Sequence, residues 1–188
     1  MSSALSDPYL SFAAGMNGLA GPLNETASQD MLKWLQLLQN NLGNNPNEQE
    51  VKDYVWKGIQ SGKYLPGYGE KYIHSTDPHY TCQREFIMKH SINDPLLNLI
   101  EILHRIAPSI LSDLGNKQNT WPNADVHSSV LMNYFGIKEI EFHTLMFGVS
   151  RAIGTLASLV WDRALVFPIE HPISMSTNCL FKAAGIKQ

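Results

Sequence analysis

Cysteine is scarce in this sequence, and the two that occur, Cys82 and Cys179, lie far apart with no CxxC spacing. That argues against a disulfide framework or a zinc site, and a reducing compartment is the natural setting. Charge is also thin: 16% of residues are Asp, Glu, Lys or Arg, the formal net charge is −3, and lysines and arginines form no run. A nucleic-acid surface needs a basic stripe, so nucleic acid is not an expected partner. No uninterrupted stretch of about eighteen apolar residues occurs, so no membrane span is expected. The opening residues, Met1 to Pro8, have neither the apolar core of a secretion signal nor the arginine-rich pattern of a mitochondrial presequence. The chain as written carries no address. Strand-like alternation and internal repeats are missing too.

What remains is helix. Apolar residues make up 44% of the 188 positions, enough for a packed globule. Pro8 to Ala20 is rich in Ala and Gly, which lets two backbones approach closely and predicts a buried packing helix. Gln29 to Leu42 sets Met31, Leu32, Leu35 and Leu38 at helical spacing and stops at Gly43. Glu48 to Gln60 repeats the period through Val51, Tyr54, Val55 and Ile59. Tyr64 to Asp77 is punctuated by Gly and Pro and reads as loop. Asp77-Pro78 and Asp94-Pro95 are helix starts, because proline is tolerated at the first helical position. Cys82, in the first of these helices, is expected to be a small buried hydrophobe. Pro108 reads as the opening of a separate shorter helix ending at Leu114. Ala124 to Tyr134 and Glu139 to about Leu165 are helical, and Phe167 to Gln188 reads as loop plus a short terminal segment. The expected fold class is all-α. The first helix and the long late one carry so much apolar or small-residue surface that an exposed patch is expected, of the kind that marks oligomer contacts.

Several residues admit two readings. Asp125 follows a Trp-Pro-Asn loop and either caps the next helix or serves a site. Arg151, on a long helix, is a solvated charge or salt-bridge partner, or else a ligand for an anion. The Pro66-Gly67-Tyr68-Gly69 segment is a turn of a common kind or a backbone cradle. His74 and His79 lie five apart beside Asp77, but no histidines pair at i and i+4, and no metal site is expected.

Taken together and in order, a set of motifs decides between these readings. They are Met16-Asn17-Gly18-Leu19-Ala20-Gly21-Pro22-Leu23, Pro66-Gly67-Tyr68-Gly69, Asp77-Pro78 with Tyr80-Thr81-Cys82-Gln83-Arg84-Glu85-Phe86, Trp121-Pro122-Asn123-Ala124-Asp125, Phe147-Gly148-Val149-Ser150-Arg151-Ala152 and Ser174-Met175-Ser176-Thr177. In this order and spacing the chain resembles the C-terminal half or so of citrate synthase. The resemblance implies a helical enzyme whose small domain closes over the substrates. Residues 26–136 would form that small (lid) domain. Residues 1–25 and 137–188 would be the large-domain portion with the dimer-forming helices. The family condenses acetyl-CoA with oxaloacetate: a carboxylate takes a methyl proton, one histidine steadies the enol, a second polarises the keto group, and arginine forks hold the carboxylates.

Carried over position by position, Asp125 matches the proton-abstracting carboxylate and Arg151 one substrate-binding arginine. Asn24 and Glu70 replace the two histidines. An amide donates a hydrogen bond but shuttles no proton near neutral pH. A carboxylate at Glu70 faces a dianion. Two like charges about 5 Å apart at an effective dielectric near 20 repel by about 3 kcal/mol. His79 and His171 stand where two further arginines bind substrate, and His74 where an arginine meets the CoA phosphates; a neutral imidazole cannot replace a bidentate fork. Pro66, Gly67, Tyr68, Gly69 and Asn123 match the CoA-binding segments. The resemblance therefore implies lost citrate synthesis, acetyl-CoA as a substrate or ligand with no tightly bound cofactor, and a homodimer or a heterodimer with a full-length citrate synthase. It implies the mitochondrial matrix as compartment, or the cytosol if no upstream presequence exists.

Overall fold

A computed structural model describes residues 2–21, 26–69, 75–90, 92–114, 120–171 and 173–185. Among these residues there are eight helices and no strands: α1 (Pro8–Leu19), α2 (Ala27–Leu42), α3 (Glu48–Gln60), α4 (Pro78–Lys89), α5 (Pro95–Asp113), α6 (Asp125–Tyr134), α7 (Ile140–Leu165) and α8 (Thr177–Ala183). The chain divides into two compact units. One is Leu19–Ser150, and the other joins Met1–Gly18 to Arg151–Gln188, so α7 runs from the first into the second.

The Leu19–Ser150 unit holds the core. Met31, Leu32, Leu35 and Leu38 line one side of α2, and Val51 and Val55 one side of α3. Leu96, Leu99, Ile100, Leu103, Ile106 and Ile110 give α5 its wide apolar stripe, and α6 adds Val126 and Val130. Local chemistry sets the helix ends. The Asn47 side chain accepts from the Glu50 amide at 2.9 Å while the Glu50 carboxylate accepts from the Asn47 amide at 2.8 Å, a reciprocal box that starts α3. Asp94 caps α5 by accepting from the Leu96 amide at 2.8 Å, with Pro95 at the first helical position. Gly43, at φ +87°, ends α2. His143 ties the start of α7 to α6: its Nε2–H donates to the Ile137 carbonyl at 3.0 Å, so its Nδ1 accepts from the Ser129 hydroxyl, also at 3.0 Å.

The structure corrects the expectation for Pro108. No helix opens there; Pro108 sits inside α5, which runs unbroken from Pro95 to Asp113. Proline in a helix interior costs about 3 kcal/mol through the lost amide donor and the clash one turn back. Ile106, Ala107, Ile110 and Leu111 are buried around it, and their burial offsets that cost. Cys82 is exposed rather than buried. It stands roughly 200° around the α4 wheel from Tyr80, which faces the core.

In the other unit, residues 2–6 lie along the last turns of α7. The Ser2 hydroxyl donates to the Asp162 carboxylate at 2.6 Å, and the Arg163 guanidinium donates to the Ser6 carbonyl. Gly15 of α1 faces Thr155 of α7, which a Cβ there would approach to 3.8 Å. The close helix approach expected from the small residues of α1 is therefore present, but the burial is not: no residue of α1 is buried. Among the described residues here, Leu159 is the only large apolar side chain that is buried, while Ile153, Val160, Trp161 and Ile173 stand exposed. The tail contains a two-turn helix, α8, capped by the Ser176 hydroxyl. The expectation on membrane spans also changes. Among the described residues α7 is long and apolar enough, by length and composition, to cross a membrane. Single polar residues such as Thr144, Ser150 and Arg151 break its apolar run, and only an average over the helix reveals its character.

Candidate functional site

The predicted site residues of the Leu19–Ser150 unit that are among the described residues fall on three segments: the turn Pro66–Gly69, the N-terminus of α4, and the corner that enters α6. The turn and the corner are joined through their backbones. Tyr68 bridges Pro122 in antiparallel fashion, and the Asn123 amide donates to the Gly67 carbonyl at 2.9 Å. Gly67 has φ +75°, a left-handed conformation that costs a residue with a side chain about 1–2 kcal/mol. It also has no room for one: a Cβ would lie 2.4 Å from Cγ2 of Val126. The turn can press against α6 only because residue 67 is glycine.

Asp77 joins the third segment to the other two. Its Oδ1 accepts from the His79 amide at 2.9 Å, capping α4, and stands 2.9 Å from the His79 ring nitrogen. Its Oδ2 accepts from the Ala124 amide at 3.0 Å. Partial burial pushes the Asp77 carboxyl up, but the hydrogen bonds from His79 and Ala124 outweigh it and hold the group below the usual carboxylate range. One carboxylate thus fixes both the predicted substrate contact His79 and the residue before Asp125. Asp125 is the first residue of α6, half-buried, and its amide donates to Oδ1 of Asn123 at 3.1 Å. A carboxylate at that position faces the positive end of the helix dipole. Pro66, Gly67, Tyr68, Gly69, Asn123, Asp125 and His79 therefore lie on one connected frame.

Behind the frame lies a polar cluster that sequence reasoning missed. Tyr80 is buried, with its O–H 2.9 Å from Nδ1 of His104 and its ring 4.6 Å from that of His127. Arg84 donates twice to Glu101, at 2.9 and 2.8 Å. That pair holds the Glu101 carboxyl below its usual range. Burial, aided by Tyr80 and Glu101, pushes the Tyr68 phenol well above its ordinary value. Burial pushes His127 down to about 4. The Tyr68 hydroxyl, Gln83 Oε1 and His127 Nδ1 are buried without hydrogen-bond partners among the described residues. The signal for this cluster was available in part: Tyr80, Arg84 and Ile87 repeat at helical spacing behind the Asp77-Pro78 start. The partners on α5 and α6 were not.

Arg151 and His171 belong to the other unit, and both are exposed to solvent, Arg151 at its place on α7 and His171 in the segment before α8. Asn24, Glu70 and His74 lie outside the described residues. Among the described residues no three His, Cys, Asp or Glu side chains gather as a metal site would require.

Comparison with known proteins identifies the frame's origin. The citrate synthase C-terminal domain family matches residues 1–172. The chain belongs to the citrate synthase family. It is 57% identical over 180 residues, 96% of its length, to a probable mitochondrial citrate synthase of Glossina morsitans morsitans. It is 52% identical over 185 residues, 98% of its length, to the mitochondrial citrate synthase of Xiphias gladius. In both cases it spans 39% of the relative. The solved citrate synthase of Thermoplasma acidophilum, in ternary complex with carboxymethyl coenzyme A and oxaloacetate, superposes with a TM-score of 0.71 at 20% identity, covering 93% of this chain and 45% of that one. That likeness establishes the citrate-synthase fold, all-α as expected.

Proposed function

We propose that this chain is a citrate-synthase-family protein that keeps the acyl-CoA-facing frame of the small domain but does not condense acetyl-CoA with oxaloacetate. It acts as a structural or regulatory homologue. The observation that carries the first half is the joined frame. The Gly67 carbonyl holds Asn123, Asp77 holds Ala124, and Asp125 follows at the start of α6. Those are the positions where the family matches its CoA loop and its base. The second half rests on the residues that do the chemistry. Asn24 and Glu70 stand in place of both histidines, and His79 and His171 in place of two arginines. His79 is already engaged by Asp77, and a single imidazole gives no bidentate grip on a dicarboxylate.

In this reading the unit built on α2 to α6 is the small domain, and the apolar surfaces of α1 and α7 pack in a homodimer or against a full-length citrate synthase. His171 would then stand where the family's arginine crosses to the partner's site. Relatives named mitochondrial support the mitochondrial matrix as the compartment, with the cytosol as the alternative. Mixing the purified chain with an intact citrate synthase and following size and activity together tests this directly: a complex is expected, and a monomer that never associates overturns the regulatory role. A second reading, an acyl-CoA-binding transferase or thioester hydrolase with a changed substrate, is favoured by the same frame and by Asp125 as a base. Thermal-shift titration with acetyl-CoA decides it. A ligand at a hundred times its Kd adds about 2.7 kcal/mol of stability, and no shift at millimolar concentration rules it out.

A further inference from the structure

We propose that α4 is an acid-releasable arm, held at its N-terminal half by Tyr80 against the neutral imidazoles of His104 and His127, and that protonation of these rings undocks it from α5 and α6. Only two side chains of α4 are buried, Tyr80 and Ile87. Tyr80 is therefore the sole buried anchor near the end that carries Asp77 and His79. It meets His104 on α5 through its hydroxyl, at 2.9 Å, and through its ring, with centroids 5.6 Å apart. It meets His127 on α6 at 4.6 Å.

Charge arithmetic around these rings makes the contact sensitive to a proton. His127 is 1% exposed, so a charge on it would have no water. Among the described residues Glu101 is the one carboxylate acting on both imidazoles, and both its oxygens are committed to Arg84 of α4. Arg84 and, for His104, Arg105 add positive charge of their own. Tyr68, on the adjoining turn, offers a phenol that burial keeps protonated. α2 turns an uncharged buried face inward, and His143 of α7 is occupied with Ser129 and Ile137. A second positive charge inside the cluster thus meets no free counter-charge among the described residues. Burial accordingly lowers both imidazoles, His127 from 6.5 to about 4. The sign follows: the docked arm excludes the proton, the released arm accepts it near 6.5, and docking weakens as pH falls from there toward 4. Release would draw Asp77 away from Ala124, and so loosen the corner that carries Asp125.

Hydrogen exchange read by mass spectrometry on the full chain, corrected for the intrinsic pH dependence of exchange, tests this. Peptides from α4 should lose protection by about tenfold per pH unit below about 6.5 for each imidazole that excludes its proton, up to about a hundredfold with both, while peptides from α2 and α3 change little. His127→Phe, which keeps a ring on Tyr80 but takes no proton, should reduce that slope to no more than the about tenfold per unit that His104 alone supplies. The proposal is overturned if α4 protection is flat with pH, if α2 and α3 open together with α4, or if the variant keeps the wild-type slope. Should His127→Phe not fold, imidazole NMR on the unaltered chain decides. His127 gaining its proton as α4 opens supports the latch, and His127 remaining neutral through the opening overturns it.

Discussion

Gly67→Ala is the sharpest single test of the frame that joins the turn to α6. Two costs add at this position. The backbone sits at φ +75°, which an alanine adopts at about 1–2 kcal/mol. The new Cβ would lie 2.4 Å from Cγ2 of Val126, far inside ordinary carbon–carbon contact, and 3.5 Å from the Val126 Cα. Val126 cannot step aside easily. It is fully buried, it is β-branched on a helix with one strongly preferred rotamer, and it packs in the core. Overpacking of that kind costs about 1–3 kcal/mol. The sum is about 2–5 kcal/mol, read by urea denaturation as a fall in midpoint at unchanged slope. The two costs can be separated. Val126→Ala alone opens a cavity and costs about 2 kcal/mol, but in the Gly67→Ala background it removes the colliding methyl. The double variant should therefore be more stable than the sum of the single losses by about 1 kcal/mol or more, leaving the backbone cost behind. A Gly67→Ala protein within about 0.5 kcal/mol of the parent, or strictly additive losses, would refute the close approach as the reason for glycine here.

Other outcomes follow from the same geometry. Val166 ends α7 at φ +52° with the Phe167 amide donating to the Asp162 carbonyl and the Val166 amide to the Arg163 carbonyl, a termination that favours glycine. Its side chain is largely exposed, so Val166→Gly should raise the thermal midpoint, by up to about 1 kcal/mol in stability terms. Asp77→Ala removes a helix cap and the Ala124 bond together and should cost about 2 kcal/mol at neutral pH. Because the folded carboxyl is held low, that contribution is present above the ordinary aspartate range and fades as pH falls through the folded value, so the difference between variant and parent should shrink in acid. Asn47→Ala breaks the reciprocal box of α3 and should cost about 1 kcal/mol in denaturant titration, with no effect on acetyl-CoA-induced stabilisation.

Where the chain's punctuation is local, the sequence is a good guide to its structure. Asn47 and Glu50 sit three apart and start α3 at Glu48, and Gly62 follows its end. Asp77-Pro78 and Asp94-Pro95 start their helices where the dipeptides place them. Pro108 misled because its cost is local while its compensation is tertiary: the buried residues around it belong to a stripe that only the folded core rewards. Apolar and small residues foretold the exposed apolar surface of α1 and α7, but not that Leu159 would be the one large apolar side chain buried among the described residues of their unit. The candidate site was legible as a set of motifs because the family resemblance supplied positions. Its wiring was not legible. That Asp77 reaches Ala124, 47 residues on, and that Tyr80 finds His104 and His127, are facts about three-dimensional neighbours that no helical period encodes.

With Asn24 and Glu70 in place of two histidines, and His79 and His171 in place of two arginines, we propose that the site cannot grip and activate oxaloacetate. Supplying the purified chain with acetyl-CoA and oxaloacetate and measuring citrate by mass spectrometry tests it most directly. No citrate above a blank without protein is expected. Citrate that accumulates with enzyme concentration and disappears in Asp125→Asn would contradict it.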